Sequence, residues 1–130
     1  MPSYKKKSKR GPSRKSLMKE AWRVWSIHIR SQNADFRGKT ECYTCRTKFD
    51  WKYELQAGHY IHSQLDFDEM NIHPQCVRCN KWLHGNLGLY GERLVREYGQ
   101  EAVDALRIRG KRKGNNYKIN ELEEIIKRYS

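Results

Sequence analysis

What this chain lacks narrows the choices first. No apolar run approaches the length of a membrane-spanning helix, and the N-terminus carries no apolar stretch of the kind a secretory leader needs. The expectation is a soluble, intracellular protein that does not work in a membrane. Cysteine is scarce: all four residues fall in two Cys-x-x-Cys hooks, Cys42–Cys45 and Cys76–Cys79, with none left over. In a chain that is not secreted, that usage argues against a disulfide framework and for a metal ion. Acids are also short, with 15 Asp and Glu against 27 Lys and Arg, for a formal charge of +12. In a chain of 130 residues such an imbalance calls for a polyanion, nucleic acid before an anionic membrane surface. Hydrophobic residues make up only 37%, a thin supply for a core, offset by four Trp, eight Tyr and three Phe that each bury a large area.

The size fits one domain with a tail, and the chain shows no internal repeat. Residues 1–15 form a basic arm, with Lys5, Lys6, Lys7, Lys9, Arg10, Arg14 and Lys15, no acid and few apolar groups. Such a segment cannot order itself alone; it is either a solubilising terminus or an arm laid along phosphates. A helix is expected over 16–32, capped by Ser16, with Leu17, Ala21, Val24, Trp25 and His28 at helical spacing and Trp22 and Ile29 widening the stripe. His28 then belongs to the core. Residues 47–61 suit a short hairpin or paired strands, and Gly58 marks a place where backbone comes close to something. Residues 63–69 read as a polar loop, and Pro74 keeps the lead-in to the second hook from being helical. A helix should begin after Cys79. Further helical segments run to a stop at Gly99, continue over 100–109, and reopen with Asn120 and Glu123 as a capping pair. Between them lies a basic loop with Lys111, Arg112 and Lys113. The segments divide as an N-terminal helix within 16–40, a zinc module over 41–88, and C-terminal helices over 89–130.

The two hooks carry the strongest signal. A two-residue gap lets both thiolates of a turn reach one ion, so Cys42, Cys45, Cys76 and Cys79 are expected to hold a structural Zn2+. The 30 residues between Cys45 and Cys76 leave room for a hairpin and a loop, which suits a treble-clef order of knuckle, hairpin and helix. Inside that clasp, His59 sits in an aromatic strand, where an imidazole titrating near neutrality can deprotonate water. A side-chain amide such as Asn71 can hold the adjoining strand and loop backbone. Phosphodiester chemistry would also need a divalent ion beside the scissile phosphate. Asn80 stands at the start of the helix after the second hook and His84 one turn later, so their i, i+4 spacing puts both on one face, where they can share that ion. The residues alone equally allow a purely structural zinc module with surface histidines.

Several separated blocks agree, in order, with one family. Gln56-Ala-Gly-His-Tyr60, Asp68-Glu-Met-Asn-Ile-His-Pro-Gln-Cys76, Cys79-Asn80, Gly85-Asn-Leu87 and Gly99-Gln-Glu-Ala-Val-Asp104 resemble the phage lambda NinG, or Rap, recombination endonucleases, within the HNH or ββα-metal nucleases. The similarity runs from about residue 17 to the C-terminus. The resemblance implies an α+β fold with a zinc-stapled treble-clef/ββα-metal core and flanking helices at both ends. It also implies a phage-encoded, structure-specific DNA endonuclease acting in the host cytoplasm on branched recombination intermediates such as Holliday junctions and D-loops. In that family reading His59 is the general base, Asn71 the orienting residue and Asn80 a ligand for catalytic Mg2+ or Mn2+.

One departure stands out: many HNH sites have Asp or His just before the base as a metal ligand, and here that position is Gly58. The ion must then rest on Asn80 with phosphate oxygens, or recruit His84, His62, His73, Asp66 or Asp68. The basic segments would bind the limbs of branched double-stranded DNA through phosphates. Symmetric cutting of a four-way junction needs two sites, which implies a homodimer. The other readings are a non-catalytic zinc module that binds branched DNA or RNA, and an HNH enzyme with a fixed recognition sequence.

Overall fold

A computed structural model describes residues 11–62, 65–112 and 117–130. The order of elements is α1 (Arg14–Ser31), β1 (Lys39–Glu41), β2 (Lys48–Asp50), β3 (Leu55–His59), β4 (Ile72–Cys76), a π-helical turn (Arg78–Trp82), α2 (Leu87–Tyr98), α3 (Gln100–Gly110) and α4 (Ile119–Tyr129). The fold is mixed α+β. None of the described helices is long and apolar enough to cross a membrane.

Helix α1 starts two residues before the expected position. Ser13, not Ser16, is the cap, its hydroxyl accepting from the Ser16 amide at 3.1 Å. Arg14 and Lys15, assigned above to a disordered arm, are therefore the first helical residues. Leu17, Ala21, Val24, Trp25 and Ile29 form the buried stripe. The chain then turns at Asp35, whose carboxylate accepts from the amides of Arg37 and Lys39, and enters β1 through Gly38 at φ 75°.

The strands pair differently from the expectation for 47–61. That stretch does not fold back on itself: β2 pairs with β1, Lys39 opposite Asp50, and the first hook is the turn between them. β3 instead pairs with β4, from Leu55 opposite Cys76 to His59 opposite Ile72. Spacing could not show this, because both partners lie outside the window. Pro74 is tolerated inside β4 because its carbonyl points outward to the Tyr43 amide (2.8 Å). Its nitrogen points the same way, so the missing N–H costs no bond to β3.

The β3–β4 hairpin has both faces covered. On one, Ala57 and Ile72 meet Trp25 and Ile29 of α1. On the other, His73 stacks on Tyr43 and meets Tyr90, which join Leu94, Val103 and Leu106 of α2 and α3. Leu122 of α4 closes the outer side of α1 against Leu17 and Ala21. Each such buried side chain contributes about 1.5–3 kcal/mol. Helix α4 is capped two residues earlier than the Asn120–Glu123 expectation: the Glu121 carboxylate accepts from the Lys118 amide at 2.8 Å. The helix expected after Cys79 is only the five-residue π-helical turn, and it contains Cys79.

Candidate functional site

The four cysteine sulfurs lie within 4.8 Å of one another. A tetrahedron of zinc–sulfur bonds of about 2.3 Å has edges of about 3.8 Å, and Cys45 Sγ lies 3.9 Å from Cys76 Sγ. The surroundings suit thiolates. The Cys76 amide donates to Cys42 Sγ (3.3 Å), the Cys79 amide to Cys76 Sγ (3.5 Å) and the Asn86 amide group to Cys79 Sγ (3.6 Å). Burial works against ionising Cys42, yet the Thr44 hydroxyl and the amides of Cys45, Cys76 and Thr44 outweigh it and hold the thiol at about 6. Burial pushes Cys76 up to about 12 and raises Cys45 as well. One thiolate thus makes the next costly until a cation is shared. The cluster fits a metal ion such as zinc.

From this clasp β3 runs out to His59. Its Nε2 lies 2.9 Å from Asp66 Oδ1, and the two side chains keep 20% and 26% of their exposure. An ionised carboxylate can only accept, so Nε2 carries a proton, and in the neutral form of the ring the lone pair is then on Nδ1. Nδ1 has no hydrogen-bond partner among the described residues. The ring stacks on Trp22 (centroids 5.1 Å apart) and on His62 (5.2 Å). Trp22 and Asp66 also line an open groove that follows α1 past Lys15, Lys19 and Arg23. Sequence reasoning had Asp66 among several unranked ligands and Trp22 in the core stripe. The ring-holding carboxylate is seven residues along an irregular loop, where no periodicity could flag it.

Asn71 is fully buried and does not touch the imidazole. Its side chain accepts from the Ile61 amide (2.8 Å) and donates to the carbonyls of Ile61 (3.0 Å) and Leu65 (3.2 Å). It clamps both ends of the loop that carries Asp66. Beneath the strand, the buried Tyr90 hydroxyl lies 2.8 Å from the Gly58 carbonyl, 3.2 Å from the Asn71 carbonyl and 3.0 Å from His73 Nδ1. Burial, reinforced by Arg93, holds the His73 imidazole down at about 3, so it is neutral and donates from Nδ1 to that hydroxyl. A buried neutral ring spent on Tyr90 is no free ligand.

Gly58 is explained by its neighbour. A Cβ there would lie 1.9 Å from Gln75 Oε1. Gln75 is itself buried, and its Nε2 donates to the Gly85 carbonyl (2.8 Å) and to Thr44 Oγ1 (3.1 Å). The space a side chain at position 58 would need is filled from β4.

Asn80 lies on the π-helical turn and donates from Nδ2 to Gln56 Oε1 at 2.8 Å, leaving its Oδ1 available. Side chains alternate along a strand, so Gln56 faces away from the side of β3 that carries His59. The helical argument that pairs His84 with Asn80 does not hold. The turn closes at Trp82, and His84 follows at φ 51°, in a left-handed conformation beyond the cap and exposed. Of the other candidate ligands, Asp68 is held by Arg109 at 2.9 Å.

Among the proposed phosphate contacts, Arg14, Lys15, Lys111 and Arg112 are exposed. Arg14 also donates to the Tyr117 carbonyl at 2.8 Å. Lys5, Lys6, Lys7, Lys9, Arg10 and Lys113 lie outside the described residues. Arg107 and Arg109, in α3 as expected, are bound to Tyr60 (2.7 Å) and Asp68.

Comparison with known proteins adds one line of descent. A family model described as "Bacteriophage Lambda NinG protein" matches residues 2–130. The Protein ninG of Escherichia phage 933W is 34% identical over 116 residues, which is 86% of this chain and 54% of that protein. The Protein ninG of Escherichia phage lambda is 34% identical over 116 residues, covering 86% and 53%. That of Salmonella phage P22 is 36% identical over 99 residues, covering 73% and 46%. The chain thus spans about half the length of the curated relatives it matches. No solved structure matches it.

Proposed function

The chain belongs to the bacteriophage lambda NinG family, and from that premise we propose that it is a metal-dependent endonuclease that hydrolyses phosphodiesters in branched DNA recombination intermediates, Holliday junctions and D-loops among them. The observation that carries this reading is the His59–Asp66 pair at 2.9 Å, at the end of a zinc-clasped hairpin. An imidazole with one nitrogen committed to a carboxylate and the other open is built to take a proton from water. The order β3, β4, π-helical turn, with His59 ending the first strand, Asn71 preceding the second and Asn80 on the turn, is read as a treble-clef/ββα-metal core.

In this mechanism His59 Nδ1 accepts the proton of the attacking water while Asp66 holds the ring. Asn71 fixes the loop that brings Asp66 in, and Tyr90 fixes the strand beneath. A catalytic Mg2+ or Mn2+ would draw on Asn80 Oδ1 together with phosphate oxygens, which requires the phosphate to bridge from the His59 side of the hairpin to the Asn80 side; His84 would have to reach in from a left-handed turn. When bound, such an ion would supply positive charge to offset that building on the phosphate and so favour loss of the 3′ oxygen, with a 5′ phosphate as the expected product end. Cys42, Cys45, Cys76 and Cys79 hold a structural Zn2+. The basic stripe along α1 and the Lys111–Arg112 turn contact phosphates without reading sequence. Two copies act on the two strands of a four-way junction, in the cytoplasm of the host.

A second reading draws on one specific observation. The partners of His59 and Asn80 lie on opposite faces of the hairpin, as a non-catalytic zinc module binding branched DNA or RNA would tolerate. His59→Ala separates the two. The nuclease reading expects nicking of a synthetic four-way junction with Mg2+ or Mn2+ to vanish while junction binding stays within about twofold. Wild-type protein that binds such junctions but never nicks them would establish the module instead.

A further inference from the structure

Trp82 is 73% exposed, an uncommon setting for an indole in a chain short of hydrophobic residues. Two other aromatics are as open, Phe36 and Tyr53, but each has a cation over its ring, Arg37 at 5.4 Å and Lys52 at 5.5 Å. Among the described residues no aromatic ring stacks on Trp82 and no cation lies over it. Leu83 beside it is 40% exposed.

The segment that presents this pair is stiff. The Leu83 amide donates to the Arg78 carbonyl at 2.8 Å and the Gly85 amide to the Cys79 carbonyl at 2.9 Å. Cys79 itself is anchored in the sulfur cluster. An apolar tip on so rigid a base keeps its shape when pushed against another molecule. Its surroundings have one sign: residues 70–91 contain no Asp or Glu, and exposed Arg78 and Lys81 flank the tip.

An aromatic and a leucine on a rigid turn, rimmed by cations, match the chemistry of a disrupted base step. The apolar groups enter between bases while the cations hold the phosphates on either side. An intact duplex resists such entry, because the stack must be opened at a cost; at a branch point the stack is already broken. We infer that Trp82, backed by Leu83, is a wedge that inserts at the open base step of a DNA branch and gives the protein its preference for branched over linear DNA. This rests on the reading of branched DNA as substrate, but not on cleavage.

The test measures binding of wild type, Trp82→Ala and Trp82→Phe to a four-way junction and to linear duplex of equal length. The junction carries 2-aminopurine at the branch, and catalytic ions are withheld. Trp82→Ala is expected to weaken junction binding on the order of tenfold and to leave linear binding within about twofold. It should also abolish the 2-aminopurine change, with Trp82→Phe in between. The high exposure of Trp82 means that both variants should keep wild-type circular dichroism and metal content. Equal losses on the two DNAs, or no loss on either, would overturn the wedge. So would sedimentation showing that Trp82→Ala separates two copies of the chain while the junction preference persists. A wild type that shows the 2-aminopurine response yet never nicks DNA would retain the wedge and remove the nuclease reading.

Discussion

Replacing Gly58 with Ala puts the packing beside His59 to a quantitative test. The added methyl would sit 1.9 Å from Gln75 Oε1 and 2.7 Å from its Cδ, far inside contact distance. The side chain cannot swing aside freely, since Nε2 is held by the Gly85 carbonyl and the Thr44 hydroxyl. Relief means shifting β3 or breaking those bonds. Overpacking of this kind costs about 1–3 kcal/mol, and each hydrogen bond lost adds about 0.5–1.5 kcal/mol. Gly58→Ala should therefore lose about 2–4 kcal/mol in urea unfolding of the zinc-loaded protein. The same methyl introduced into Gln75→Ala should cost under about 1 kcal/mol, because the space is then free. A Gly58→Ala protein within 0.5 kcal/mol of wild type, or a loss that persists undiminished in the Gln75→Ala background, would refute the account of position 58. An acidic side chain placed there should likewise require trimming Gln75: Gly58→Asp alone should fold poorly, and Gly58→Asp with Gln75→Ala should recover.

Asp66→Asn removes a charge-assisted bond to His59 and should lower kcat about tenfold, close to 1.4 kcal/mol, with KM little changed; an unaltered kcat in steady-state junction cleavage would show that the carboxylate does not position the ring. Stripping metal from the cysteine cluster with a strong chelator should unfold the chain, since structural zinc is worth about 10–16 kcal/mol in small zinc-binding peptides; tryptophan fluorescence and elemental analysis together check this, and an intact fold without metal would count against a structural ion. His73 is held neutral at about 3 in the fold against an ordinary value of 6.5. The unfolded chain therefore binds the extra proton between those values, so the stability it confers is complete above 6.5 and falls as pH drops toward 3. By pH 5.5 the loss should reach about 1.4 kcal/mol. His73→Gln should flatten that part of the stability–pH curve, and an unchanged slope would exclude His73 as its source.

Some of this was legible along the chain. The stripe of Leu17, Ala21, Val24, Trp25 and Ile29 repeats at the period of the helix it forms, and Gly99 ends α2 at φ 92°. Capping residues lie three residues earlier than expected at the first helix and two earlier at the last, because several polar side chains near each start can cap and only the surrounding packing selects among them. His84 shows the limit of spacing: four residues on from Asn80, it would share its face only in a regular helix, and the clasp at Cys79 closes the turn at Trp82 instead.

What the sequence determined by itself was the cation balance, the sulfur ligands at paired two-residue gaps, and the ordered blocks that mark the NinG family. Each of these is a local or additive property, written in neighbouring residues or in simple counts. Tertiary structure alone decided that β3 pairs with β4, that Gln75 fills the space beside Gly58, and that Asp66 grips His59. Those contacts join segments through irregular loops of unequal length. Their distances depend on how the hairpin, α1 and the sulfur cluster pack together, and no period in the chain encodes that.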